Sequence, residues 1–301
     1  MALAILGVAL VLTSVIGMAG AGAHAVVTSS KPADGEQLKT APSEVTINFS
    51  ENISSDLGGL KVLDAAGQRV DKNDSSQPTP SSLRTSLNPG LADGTFVANY
   101  KVVSADGHPI SGAIVFAVGN AKIGDVSSLE AKNDPAMEVL SRIGQFVTYL
   151  GALLAAGLAF FLAFIHDGAT DRHRLQSITR WSTIVAAVGI ATTIVAQAAL
   201  ATGNGVGSVL QSGTIGPVLR QGLGWSAAVL LVGLAVVHLS VDMKQPVVAH
   251  SLAFYGGLAV AGSFVLWGHA SEADMPWVSI PGDVGHVACA AAWFGGLVGL
   301  V

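Results

Sequence analysis

Asp106 and His108 are separated by one glycine within Val103-Ser104-Ala105-Asp106-Gly107-His108-Pro109-Ile110-Ser111-Gly112. On an extended chain residues i and i+2 project to the same face, so both side chains can aim at one point. A carboxylate oxygen and an imidazole nitrogen together suit a divalent transition metal. Further donors come from the start of the same region. Residues 1–23 carry no charge, and their apolar run ends in Gly20-Ala21-Gly22-Ala23, which fits the small-residue cleavage pattern of a secretory signal. Cleavage after Ala23 makes His24 the first residue, with an α-amine and an imidazole to offer. Together with Asp106 and His108 the set is three nitrogens and one oxygen. Cu(II) prefers such a tetragonal set and tops the divalent affinity order, while Zn(II) takes the same atoms in a tetrahedral arrangement. The amine, with an unperturbed pKa of about 7.7–8.0, must lose its proton to bind, so affinity falls in acid. The first Lys or Arg is Lys31, so the basic start of a signal is missing and 1–23 reads as a signal peptide or an uncleaved anchor. Cleavage at the competing Ala23-His24-Ala25 exposes Val26 instead and abolishes the set.

The elements that must position these residues are strands. Thr95 to Val102 alternates ahead of the motif and Ala113 to Val118 is a second strand-like run after it. Val45-Thr46-Ile47-Asn48-Phe49 also alternates, and Leu60-Lys61-Val62-Leu63 and Gln68-Arg69-Val70 flank the turn Asp64-Ala65-Ala66-Gly67. Asn73 to Pro89 reads as loops around one short strand. Short strands with frequent turns predict an all-β sandwich or Greek-key barrel over 24–120, followed by a polar, partly helical linker over 121–142. With Cys289 the only cysteine, no intrachain disulfide supports this region, which must rely on its β core.

The second half is of another kind. The chain is 50% hydrophobic and 12% charged, with a mean hydropathy of +0.57, too apolar for an ordinary soluble protein. Within 143–301 five apolar spans are expected, near Ile143–Ile165, Trp181–Thr202, Leu223–Val241, Val247–Trp267 and Val284–Val301, each near the roughly 20 residues that cross a bilayer. Trp181, Trp225, Trp267 and Trp277 sit at span ends or in loops, as an interfacial belt places them. Arg172, Arg174 and Arg180 assign the first inter-span loop to the cytoplasm and the β region to the outside. The expected location is therefore the plasma membrane, multi-pass, with the lipid bilayer as a partner. A net charge of −5 argues against nucleic acid. The fifth span runs to the last residue, so a longer protein is expected, and the oligomeric state is left open.

The blocks His24 to Gly35, Ile47-Asn48-Phe49-Ser50-Glu51 and Tyr100 to Gly112 resemble the periplasmic copper-binding protein family CopC, across essentially all of 24–120. The resemblance implies a cupredoxin-like Greek-key β-barrel and Cu(II) held by His24 through amine and imidazole, by Asp106 and by His108. It also implies that Glu51 sits at or just behind the copper, as a weak ligand or as the acceptor that orients the amine. Some members carry a methionine-rich Cu(I) loop. Here the methionines are Met1, Met18, Met137, Met243 and Met275, so residues 24–136 hold none and the domain is expected to bind Cu(II) alone.

Gly285-His286-Val287-Ala288-Cys289-Ala290-Ala291-Ala292-Trp293-Phe294-Gly295-Gly296-Leu297, with Gly268-His269-Ala270 before it, resembles the membrane family CopD, fused to CopC in some bacteria. His286, expected at the outer end of the fifth span, and His269, just outside the fourth, become candidates for copper in the membrane half, including Cu(I). Met275 and Cys289 offer soft sulfur there, although both also suit plain packing. The expected function is capture of Cu(II) outside and its transport across the membrane, without enzymatic chemistry; no phosphate-binding motif for an ATP-driven pump is visible. Two alternatives compete with this function. A copper-dependent oxidase also uses an N-terminal histidine, but Asp106 fills a coordination position that oxygen needs. The other is a metal-free adhesion-like module on a membrane anchor.

Overall fold

The computed structural model describes residues 25–301 except 105–108, 132, 167, 169–170, 203–206, 208–214, 221 and 267–274. Among the described residues seven strands come first: β1 Val27–Lys31, β2 Gln37–Leu38, β3 Glu44–Phe49, β4 Ile53–Asp64, β5 Ser82–Ser86, β6 Gly94–Ser104 and β7 Pro109–Val118. Strands β1 to β5 alternate between two sheets, ordered β1-β3-β5 and β2-β7-β6-β4. Neighbours run antiparallel except for β2 beside β7. The alternation predicted for β3 is obeyed: Val45, Ile47 and Phe49 are buried while Asn48 is exposed. They meet Leu60, Val62, Phe96, Ile114 and Phe116 of the other sheet in one core. Gly112 stands opposite Tyr100 in the β6–β7 register. A Cβ there would run into the Tyr100 ring, which packs edge-on to Phe49 at 5.5 Å. The glycine that closes the sequence motif is thus needed for packing.

Strands β1 and β2, with no buried position between them, lack an apolar alternation and fall outside the sequence expectation. Gln68-Arg69-Val70 forms only a single bridge, Leu63 to Arg69, because a side chain takes over the pairing. The Val62 amide donates to Asp71 Oδ2 at 2.8 Å, the Asn73 amide to Oδ1 at 2.8 Å, and Arg69 grips both oxygens. Burial pushes the Asp71 carboxyl up, but these donors and the guanidinium charge outweigh it and hold it below 3.8. A carboxyl depressed in the fold stabilises above its unfolded pKa, and that contribution is lost as pH falls through the folded value. Asp71→Ala is expected to cost about 2–3 kcal/mol at neutral pH by stranding the Val62 amide and the arginine. Faster hydrogen exchange of β4 and β5 amides in the full chain checks this, and the gap to wild type should narrow as pH drops below 3.8.

Among the described residues six helices follow: α1 Pro135–Phe164, α2 Arg172–Thr202, α3 Ile215–Arg220, α4 Gly222–Ser240, α5 Pro246–Val265 and α6 Pro276–Gly299. Asp134 caps α1 by accepting from the Ala136 amide at 2.9 Å, with Pro135 in the first turn. Among the described residues four helices, α1, α2, α4 and α5, are long and apolar enough to cross a membrane. The fifth expected span falls on α6, which carries Pro281, Asp283 and His286 in its first half.

The helices meet through small residues, which let backbones approach closely. Gly144, Thr148 and Gly151 of α1 face Thr193, Gly189 and Ala186 of α2, so this pair is antiparallel. Gly157 and Phe161 of α1 face Ala291 and Gly299 of α6, so that pair runs parallel. Buried Thr148, Thr179 and Thr193 satisfy their hydroxyls by donating to the carbonyl four residues back.

The expected linker is strapped to the sheet rather than free. Thr95 Oγ1 donates to Lys122 O, Asn99 Nδ2 donates to Leu129 O, and the Ala131 amide donates to Asn99 Oδ1 at 2.7 Å. Outward polar residues of β6 therefore hold the descending chain against the sheet and bring it to the start of α1. Strands β4, β6 and β7 in turn approach α2.

Candidate metal centre

The described residues that flank the predicted ligands meet at one end of the sandwich. Val26 is locked to the β3–β4 turn, its amide donating to Ser50 Oγ at 3.0 Å and its carbonyl accepting from the Ser50 amide at 2.9 Å. Glu51, next in the chain, is half-buried. Two residues on, Ile53 pairs with Ser104 at the end of β6, and Val103 pairs with Pro109 at the start of β7. Asp106 lies two positions beyond Ser104 and His108 immediately before Pro109, in the hairpin connection. His24, Asp106 and His108 themselves are outside the described residues, as is the segment 1–23. Of the four predicted β-domain residues, only Glu51 is described.

Below this end lies a cleft of about 520 Å³ between sheet and helices. Its upper wall is Ala25, Pro109, Ile110 and Ser111; its lower wall comes from Asn133, from Glu138, Ser141, Arg142 and Gln145 of α1, and from Gln197 and Leu200 of α2. Gln197 is 2% exposed and Ser141 4%. Gln197 Nε2 donates to Ser141 Oγ at 3.1 Å, linking the two helices. Sequence reasoning passed over these residues, although an amide within an otherwise apolar span was a signal of its own.

Of the two membrane candidates one is described. His269 lies outside the described residues. His286 is exposed on α6, ten residues after the helix starts at Pro276. Because α1 and α6 run parallel with Gly157 against Ala291, His286 is about 8 Å up the axis from that contact. That is level with the middle of α1, not at the outer end of a span: the helix extends upward through residues the hydropathy pattern left in the loop. Among the described residues no three His, Cys, Asp or Glu side chains form a metal-holding group. At the other end of the bundle, Arg180 pairs with Asp242 and Gln176 Nε2 donates to Val241 O at 2.8 Å. His238 Nδ1 is 2.9 Å from Thr183 Oγ1, and His250 stacks on Phe164.

Residues 27–119 match the family described as the CopC domain. Copper resistance protein C of Escherichia coli is 31% identical over 35% of this chain and 89% of its own length. The chain belongs to the CopC family. Its CopC domain is joined to a second module, since residues 136–275 match the copper resistance protein D-like N-terminal domain. The same order occurs in a relative from Bacillus subtilis, the copper transport protein CutJ, 31% identical over 93% of this chain. The chain spans about half of CutJ's length, 53%. Among solved structures, PcoC of Escherichia coli, described as a methionine-rich copper resistance protein, is 29% identical with a TM-score of 0.29, covering 32% of this chain and 99% of PcoC. This chain is thus a CopC/CopD-type fusion of a copper-handling family, with a β domain and membrane-spanning helices.

Proposed function

We propose that the CopC domain captures Cu(II) through the His24 amine and imidazole, Asp106 and His108, with Glu51 behind them, and that the helices carry the copper across the membrane. The observation that carries this reading is the convergence of three chain segments. Ser50 fixes Val26, Ile53 fixes Ser104, and Pro109 pairs with Val103, so the flanks of all four residues share one end of the sandwich. That end overlies α1 and α2. The domain contains no methionine between residues 24 and 136, so hard nitrogen and oxygen donors, suited to Cu(II), are what it has to offer. The sandwich and the arginines of α2 stand at opposite ends of the bundle, which fits an extracytoplasmic CopC domain.

Cells expressing the full chain are expected to accumulate more copper than cells expressing His108→Ala, at equal membrane levels of protein. Equal accumulation in both, or none above cells lacking the protein, would sink the reading.

A further inference from the structure

The cleft between the CopC domain and the helices holds polar atoms that its own walls do not satisfy. Ser111 Oγ, Asn133 Oδ1 and Gln197 Oε1 are buried without a hydrogen-bond partner among the described residues, and all three residues line it. Buried oxygens of this kind persist where water or an ion completes them. The volume, about 520 Å³, admits on the order of ten water molecules. Its charged residues are one of each sign, Glu138 and Arg142; Glu138 already accepts from Asn133 Nδ2 at 3.1 Å. Neutral hydroxyl and amide oxygens therefore decide what the cleft holds.

We propose that this cleft is a hydrated portal that takes a divalent copper ion from the β domain into the helical bundle, with Gln197 Oε1 as the innermost oxygen to receive it. The inference rests on the transport reading above and assigns it a route. Gln197 is suited to this role because its amide is held at one end only. Nε2 is anchored on Ser141 Oγ, which Gln145 Nε2 also approaches at 3.5 Å, and Oε1 is buried with no hydrogen-bond partner among the described residues. Neutral oxygens bind a copper ion far more weakly than an amine–imidazole set does. A route needs that weakness, since an ion must leave each station as readily as it arrives. On the upper wall Pro109 and Ser111 lie two apart on β7 and share a face, so the strand that follows His108 in the chain also lines the portal.

Two measurements on the full chain test this. The first needs no copper: Ser141→Cys, in a Cys289→Ser background, should react with a positively charged, membrane-impermeant thiol reagent added from the β-domain side. Failure to react in folded protein overturns the hydrated portal. The second is transport. Gln197→Leu should slow copper uptake at least tenfold while leaving the Cu(II) affinity of the CopC domain unchanged, and Gln197→Glu, which restores an oxygen, should recover most of the rate. Uptake by Gln197→Leu equal to that of a copper-transporting wild type overturns the portal alone. A wild type that moves no copper overturns the transport reading and the portal's cargo with it.

Discussion

Alanine at position 108 is expected to weaken Cu(II) binding by the full chain more than about a hundredfold, since even partners behind the ligands are worth 10–100-fold in metal affinity. Removing one of three nitrogens leaves a chelate that water must complete. Chemical blocking of the N-terminal amine of a chain beginning at His24 should do comparable damage, because amine and imidazole of one residue close a ring on the metal. Glu51→Gln should cost less, about tenfold, if that half-buried carboxylate orients the amine. Competition against a chelator of known affinity measures all three, and the electron paramagnetic resonance spectrum should lose nitrogen coupling in His108→Ala. Affinities for the three proteins within threefold of wild type would remove the site from this end of the sandwich.

A second large effect is expected far from copper. Gly157 of α1 lies directly on Ala291 and Gly295 of α6, where a Cβ would overlap the Ala291 carbonyl. Gly157→Val should force α1 and α6 apart and cost about 3 kcal/mol or more, the upper range for overpacking a tight core. Gly296 faces open space one residue beyond the jammed Gly295, so Gly296→Val is the control and should change little. Thermal unfolding in detergent distinguishes them. Matching midpoints for Gly157→Val and wild type would mean that α6 does not need its close approach to α1. His286 rides on α6, so the first variant should also displace that histidine relative to the other helices.

Much of the architecture was readable because periodicity carries it. Val45, Ile47 and Phe49 alternate with polar neighbours, and the sandwich buries those three. Four runs of apolar residues became α1, α2, α4 and α5, each at least as long as a bilayer requires. Strands β1 and β2 escaped because an edge strand is held by backbone hydrogen bonds, which leave no pattern in side chains. The single bridge at Arg69 escaped because a carboxylate nine residues from Val62 replaced a strand partner. The start of α6 was misjudged because Pro276, Pro281 and Asp283 read as loop, although proline is tolerated in a helix's first turn and the bundle supports the rest.

The residues themselves settled the chemistry on offer: an Asp-x-His pair, a histidine placed to become an N-terminus, no methionine in the β domain, and apolar spans behind it. Donor type and local spacing are properties of a chain, so the expectation of a cupric ion can be formed before any fold is known. What belongs to the tertiary structure is adjacency. Ser50 pins the segment after His24 beside Glu51, residues 53 and 104 pair across 51 positions, and Gln197 of α2 meets Ser111 of β7 across one cleft. Such contacts join residues that no local rule relates, because they arise only when sheets and helices bury their apolar faces together.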